Sequence, residues 1–164
     1  MALRGVTIRP VQEADFRELT VLVREFHEFH VRAVPDHLKY ATEAEHEAAL
    51  REGLKSILGN GRARLLVACV DGHVVGFVEA YVHETEPSPF VVQRRWGLVQ
   101  SLMVLPAFRG MGIGTLLMEH AHRWLREQAA TEVRVDVWEF EDGPLGFYER
   151  LGYRTLRRTL VRGL

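Results

Sequence analysis

Val104-Leu105-Pro106-Ala107-Phe108-Arg109-Gly110-Met111-Gly112-Ile113-Gly114-Thr115 is the stretch whose reading decides the fold. Before it, Trp96 to Leu105 is mostly apolar on both faces, the pattern of a central strand. After it, Ile113, Leu116, Leu117, His120, Ala121, Trp124 and Leu125 recur at helical spacing and predict a helix to about Ala130. A buried strand, a glycine turn and a helix N-terminus in succession make an anion site. Glycines let the backbone approach a ligand closely, and the free N–H groups of the first helical turn point at phosphate oxygens. Arg109 adds a permanent charge at the lip. A Walker loop would end in Gly-Lys-Ser or Gly-Lys-Thr, and none follows here. The dinucleotide fingerprint also fails, because its third glycine would fall on Thr115 or Leu117.

Working outward, Val6 to Pro10 alternates as a short first strand. Phe16, Leu19, Val23, Phe26 and His30 fall on one helical face, with Asp15 as its cap and Pro35 at its end. Thr42-Glu43-Ala44-Glu45 is a capping box opening a second helix that Gly59-Asn60-Gly61 stops. Asp71-Gly72 joins strands near 63–70 and 73–83 as a tight hairpin. A loop over 84–95 precedes the central strand. A strand at 132–140, a short helix near 144–151 and a last strand near 153–162 complete the series. The expected fold is α/β: a mixed, mostly antiparallel sheet flanked by helices, in one domain over 1–164.

With 164 residues, 47% hydrophobic and 26% charged, the chain has the composition of one soluble globular domain, able to bury roughly 70% of its unfolded surface. A disordered tail, a collagen-like repeat and a disulfide scaffold are excluded. Lys and Arg number 21 against 22 Asp and Glu, a net charge of −1. No global positive field draws in nucleic acid or an anionic membrane. The lone Cys69 sits in an apolar run and reads as a small buried hydrophobe. Met1 to Pro10 lacks the apolar stretch of a signal peptide, and no run approaches the roughly 18 apolar residues of a membrane span. The chain is therefore expected to be cytoplasmic.

Two segments together carry a family resemblance. Val104 to Gly114 resembles the acetyl-CoA signature of the GNAT superfamily of N-acetyltransferases, whose core is Arg/Gln-x-x-Gly-x-Gly/Ala. Val135 to Tyr153, with Phe147-Tyr148-Glu149-Arg150-Leu151-Gly152-Tyr153, resembles that superfamily's second cofactor motif. The resemblance implies splayed central strands carrying Val104 and Val137, with the thioester between them. It implies that the backbone of Leu102, Met103 and Val104 meets the pantetheine arm. Arg109, Gly110, Met111, Gly112, Ile113, Gly114 and Thr115 would hold the pyrophosphate, with Glu141 and Phe147 also at the cofactor. It aligns Tyr148 with the acid that protonates the leaving thiolate. Two positions depart from the commonest pattern: Glu141 where many relatives carry Asn, and Gln100 where many carry a carboxylate.

Acetyl transfer needs a neutral amine, donors for the oxyanion and a proton for sulfur. For the base, the candidates are Glu79, a carboxylate within the apolar strand Val74 to Tyr81, and Glu139; a water chain would make neither essential. The resemblance places the first helix pair at the acceptor pocket, which makes His30, Pro35, Asp36 and Gln100 candidate substrate contacts. The acid-rich stretch 43–52 could stand near a cationic amine. The histidines lack metal-ligand spacing, so no metal is expected. Arg150, Arg154, Arg157, Arg158 and Arg162 read as a solvated basic face. The expected activity is transfer of an acetyl group from acetyl-CoA to a primary amine of a small molecule or peptide, within a ternary complex. A non-catalytic CoA or acetyl-CoA sensor and a nucleotide-binding domain remain as alternatives. A homodimer would use loop 84–95 or the last strand.

Overall fold

The computed structural model describes residues 5–164; the leader reading reaches Met1 to Arg4, which lie outside them. Its elements are β1 (Val6–Pro10), α1 (Phe16–Ala33), α2 (Glu43–Ile57), β2 (Ala63–Val70), β3 (His73–Glu84), β4 (Arg95–Val104), α3 (Ile113–Glu127), β5 (Glu132–Val135) and α4 (Leu145–Arg150). The strands form one sheet in chain order, antiparallel from β1 to β4 and parallel only between β4 and β5. Local chemistry explains most boundaries. Asp71 and Gly72 have φ of 50° and 84°, the doubly positive turn that suits a two-residue hairpin. At α2 the Thr42 and Glu45 side chains each accept from the other's backbone N–H, at 3.3 and 2.7 Å.

The sheet is covered on both faces. Against one face lies α3, through Ile113, Leu117, Met118, Ala121, Trp124 and Leu125, joined by Tyr148 of α4. Met118 is buried where the spacing had placed Leu116 and His120 on the core face. Against the other lie Leu19 and Leu22 of α1 and Leu50, Leu54 and Ile57 of α2, over Leu65, Val67, Phe77 and Met103. At the crossing of α3 and β4, a Cβ on Gly97 would stand 2.5 Å from Leu125 Cδ1, so only glycine lets the helix approach this closely. Cys69 is buried and free, and burial pushes its thiol above the ordinary range.

Three expectations change. The strand expected over 132–140 ends at Val135, because its partner β4 bends away beyond Val99. The last strand, expected over 153–162, does not form. Gly152 turns the chain at φ 85° and the Tyr153 amide still bonds the Tyr148 carbonyl at 3.1 Å; beyond Tyr153 the chain runs without a backbone hydrogen bond among the described residues, and Leu160 is 89% exposed. Arginines at 154, 157, 158 and 162 leave it no continuous apolar face to bury. Asp15 stands at the start of α1 but does not cap it with its side chain.

Asp15 does something else. Arg9 grips its carboxylate with two bonds of 2.7 Å, and the Gln12 amide donates a third at 2.8 Å. This ties β1 to the entry of α1. The Arg9 guanidinium first, and the Gln12 amide after it, hold the Asp15 carboxyl below the usual carboxylate range although burial opposes them. Because the native value is depressed, the stabilisation is present above about pH 4 and is lost as pH falls through the native value. Asp15→Asn should cost about 2 kcal/mol at pH 7, discounted from a fully buried pair because Arg9 is 30% exposed. Urea melts at pH 7 and pH 3 should show that deficit shrinking on acidification; an unchanged deficit would refute the role.

Candidate functional site

The geometry of the site follows from where β4 and β5 stop pairing. Their parallel ladder runs from Trp96 with Glu132 to Val99 with Val135 and ends there. At that point β4 carries a bulge: Glu79 of β3 faces Ser101, and Ala80 faces Val99, leaving Gln100 as the extra residue. A bulge adds twist and redirects its strand. Beyond it β4 continues to Val104 with no strand paired on the β5 side among the described residues. The Leu105 amide bonds the Val75 carbonyl at 2.9 Å, and the antiparallel alternation then directs the N–H and C=O of Leu102 and Val104 away from β3. They face the open edge.

The parting of the strands opens a cavity of about 510 Å³ that reaches both faces of the sheet. From the α3 side it is lined by Phe108, Arg109, Gly110, Gly112, Ile113, Gly114 and Thr115, and by Pro144, Phe147, Tyr148 and Arg150 of the α4 region. From the α1 side come Phe26, Phe29 and His30. Gln100, Ser101, Leu102, Met103 and Val104 form its floor, and Val135, Asp136, Val137 and Trp138 its far wall.

At the glycine turn, Gly110 and Gly112 have φ of 75° and 84°, a left-handed conformation that glycine adopts without a Cβ clash. The first helical bond of α3 runs from the Leu116 amide to the Gly112 carbonyl at 3.0 Å. The amides of residues 110–115 therefore donate to no backbone or side-chain acceptor among the described residues. They form a cluster of free donors at the positive end of a 15-residue helix, where an anion is stabilised. A Cβ on Gly114 would meet Phe147 at 3.4 Å, so this glycine seats α4 against the turn.

Comparison with known proteins agrees with this geometry. The model of the acetyltransferase (GNAT) family matches residues 22–153. The chain belongs to the GNAT acetyltransferase family. It is 31% identical over 118 residues to an uncharacterized N-acetyltransferase of Archaeoglobus fulgidus, covering 72% of this chain and 74% of that one. It is 30% identical over 99 residues to an aminoglycoside N(6')-acetyltransferase type 1 of Acinetobacter haemolyticus, over 57% of this chain and 64% of the relative. Thus the match to that relative spans less than two thirds of its length. In fold, the chain is similar to a solved variant of the BH1408 protein of Bacillus halodurans, with a TM-score of 0.84, 22% identity and coverage of 96% and 99%.

Within this GNAT chain the sequence candidates divide sharply. Leu102, Met103, Val104, Arg109, Gly110, Gly112, Ile113, Gly114, Thr115, Phe147, Tyr148, Gln100 and His30 all line the cavity. Met111, Glu141, Pro35, Asp36, Glu79 and Glu139 do not. Arg109 does not reach out over the turn: its Nε donates to the Val104 carbonyl at 2.9 Å, and its guanidinium lies 5.7 Å above the Phe29 ring. Glu79 accepts the hydroxyl hydrogen bond of Tyr81 and stands across the ladder from Ser101, one step behind the cavity wall. Burial first, and this carboxylate after it, push the Tyr81 phenol above its ordinary value. Glu139 pairs with Arg158 at 3.7 Å on the open surface. The acidic residues of α2 stay outside the cavity as well.

Tyr148 is 7% exposed, and its hydroxyl makes no hydrogen bond among the described residues. Burial pushes its phenol up to about 12, so it stays protonated at neutral pH. Across the cavity, His30 Nδ1 lies 2.8 Å from the Phe26 carbonyl. A carbonyl can only accept, so Nδ1 carries a proton there. Among the described residues no group of three His, Cys, Asp or Glu side chains comes together as a metal site.

The sequence reading missed Phe29, Asp136, Trp138 and Arg150 as cavity residues. Phe26 and His30 had marked the apolar face of α1, and Phe29 sits one helical turn from Phe26; that spacing was the available signal. Asp136 and Trp138 alternate with Val135 and Val137, but which alternate set meets the cavity depends on where β5 leaves β4.

The turn makes a stability prediction. Gly112→Ala should cost about 1–2 kcal/mol, because alanine must adopt the left-handed conformation. Gly61→Ala, in open space without a positive φ, should change stability by less than about 0.5 kcal/mol. Equal denaturation midpoints for the two variants would contradict the turn geometry.

Proposed function

We propose that residues 1–164 form one N-acetyltransferase domain that moves the acetyl group of acetyl-CoA to a primary amine of a small molecule or peptide, by direct attack in a ternary complex. The observation that carries this reading is the shared cavity: free main-chain donors, an open strand edge and the Tyr148 phenol all meet in it. The amides of residues 110–115 suit a pyrophosphate. The outward N–H groups of Leu102 and Val104 and the Leu102 C=O suit an amide-bearing arm that lies along the edge as a strand would, while the Val104 C=O already accepts from Arg109. Acetyl-CoA has both parts, and supplies the activated thioester.

The chain's own residues then have separable tasks. The Val104 amide, directed to the open edge, is the donor available to the acetyl oxygen as negative charge develops there. Tyr148 gives its proton to the departing sulfur. The α1 side of the cavity admits the amine. Glu79 and Glu139 have no direct path to it, so the proton shed by the amine leaves through solvent at the cavity mouth.

Calorimetric titration should show acetyl-CoA and CoA binding and ATP failing to bind; no binding of either CoA form would reduce the turn to a structural feature. In a thiol-release assay Tyr148→Phe should lower kcat by about a hundredfold or more, the usual worth of a general acid. Its Kd for acetyl-CoA should stay within about twofold, well under the factor of ten that corresponds to 1.4 kcal/mol. Turnover indifferent to this change would favour the sensor reading, since a sensor has no use for a proton donor. A solution pH profile should show no loss from Tyr148 ionisation until pH nears about 12.

A further inference from the structure

The half of the cavity enclosed by α1 and the segment after β5 is aromatic. Phe26 and Phe29 come from α1 and Trp138 from beyond β5. Each ring is braced from behind. Phe29 meets Phe140 edge-on at 5.7 Å, Trp138 stacks on His37 at 5.5 Å and 23°, and Phe26 meets Phe77 edge-on at 6.2 Å. Rings held in this way keep their orientation before a ligand arrives, which lowers the entropy lost on binding. The charges are equally selective. Asp136 is the only carboxylate that lines the cavity among the described residues, whereas Arg109 and Arg150 both line it.

We propose that this half is a slot for a primary monoamine carried on a flat apolar body, an arylalkylamine, with Asp136 receiving the ammonium. The proposal rests on the acetyl-transfer reading and names its acceptor class. The aryl body fills the space between Phe29 and Trp138, where an apolar surface leaves water and ring edges find ring faces. A polycation fits poorly: one ammonium reaches Asp136, and the others find no second carboxylate in the cavity among the described residues and meet the Arg109 guanidinium over Phe29. The relative from Acinetobacter haemolyticus is named for aminoglycosides, which carry several amines; this cavity lacks the carboxylates to match them. Acetyl transfer to such an acceptor balances simply. The ammonium held at Asp136 first gives one proton to solvent; the neutral nitrogen then forms the N–C bond as the C–S bond breaks and sheds a second proton to solvent, and Tyr148 passes one to sulfur before taking another from solvent.

The test is acceptor selectivity of the full chain with acetyl-CoA, using phenethylamine, spermidine and kanamycin in a thiol-release assay. Phenethylamine should exceed kanamycin and spermidine in kcat/KM by at least about tenfold, the discrimination expected from one well-placed apolar contact. Phe29→Ala should raise KM for phenethylamine by about tenfold, leaving the Kd for acetyl-CoA within about twofold. Trp138→Leu, at a position 42% exposed and so tolerant of change, provides a second variant and should act in the same direction. Kanamycin or spermidine preferred over phenethylamine overturns the slot. So does a phenethylamine KM that neither variant moves, or acetyl-CoA binding without phenethylamine turnover. Failure of acetyl-CoA to bind in the parallel titration would instead overturn the cofactor reading beneath it.

Discussion

The parting of β4 from β5 after Val99 and Val135 is the constraint on which the rest of the site depends. A sheet edge presents donors and acceptors that demand partners, and proteins ordinarily cover or blunt such edges. Here the edge from Gln100 to Val104 opens into a cavity instead of being covered by another strand. The bulge at Gln100 turns the strand, and its extra residue changes which side chains face which core. Val99 packs on the α3 side and Met103 on the α1 side, although four residues apart they would share a face in a regular strand. The bulge therefore sets both the gap and the identity of its floor.

A gap through the middle of a sheet persists only if both faces hold the strands apart. On one side α3 is seated directly on β4 by the close approach of Leu125 to Gly97, and α4 is seated on α3 by Phe147 against Gly114. On the other, α1 and α2 pack over β2 and β3, with the Arg9–Asp15 pair tying the start of α1 to β1. Both layers also reach the segment beyond the gap, Phe29 of α1 against Phe140 and the α3-side cluster against Val137. The cavity consequently has free main-chain amides on one face of the sheet and aromatic side chains on the other, and the proposed reaction lies between them.

Features set by short-range chemistry were legible in the sequence. The Thr42–Glu45 box, the Asp71–Gly72 hairpin and the glycine turn each involve a few neighbouring residues with strong conformational preferences, and all are present. Glu79 was conspicuous as a carboxylate in an apolar strand, and the structure supplies its partner in Tyr81, two residues along the same face. Features set by distant pairing were less legible. Residues 132–137 alternate polar and apolar, yet only the first four find a partner strand. The segment 153–162 has strand-forming residues but no partner among the described residues. The aromatic wall lies between these cases: α1 announced its apolar face, while Trp138 belongs to the cavity only because β5 ends where it does.

Arg109 shows how the site divides its electrostatic work. In the linear sequence it stands immediately before the glycines and reads as a phosphate ligand. In the fold its guanidinium bonds the Val104 carbonyl and covers Phe29, at the boundary between the two halves of the cavity. On the proposed reading, the main chain at residues 110–115 then supplies the donors to the anion. That arrangement has a physical advantage, because amides fixed by a helix start need no side-chain ordering when a ligand binds, whereas a free arginine loses rotamer entropy. It also places a positive charge toward the acceptor side, where it opposes additional cations. On the proposed reading, the same residue that the sequence assigns to the cofactor helps to limit what the amine can be.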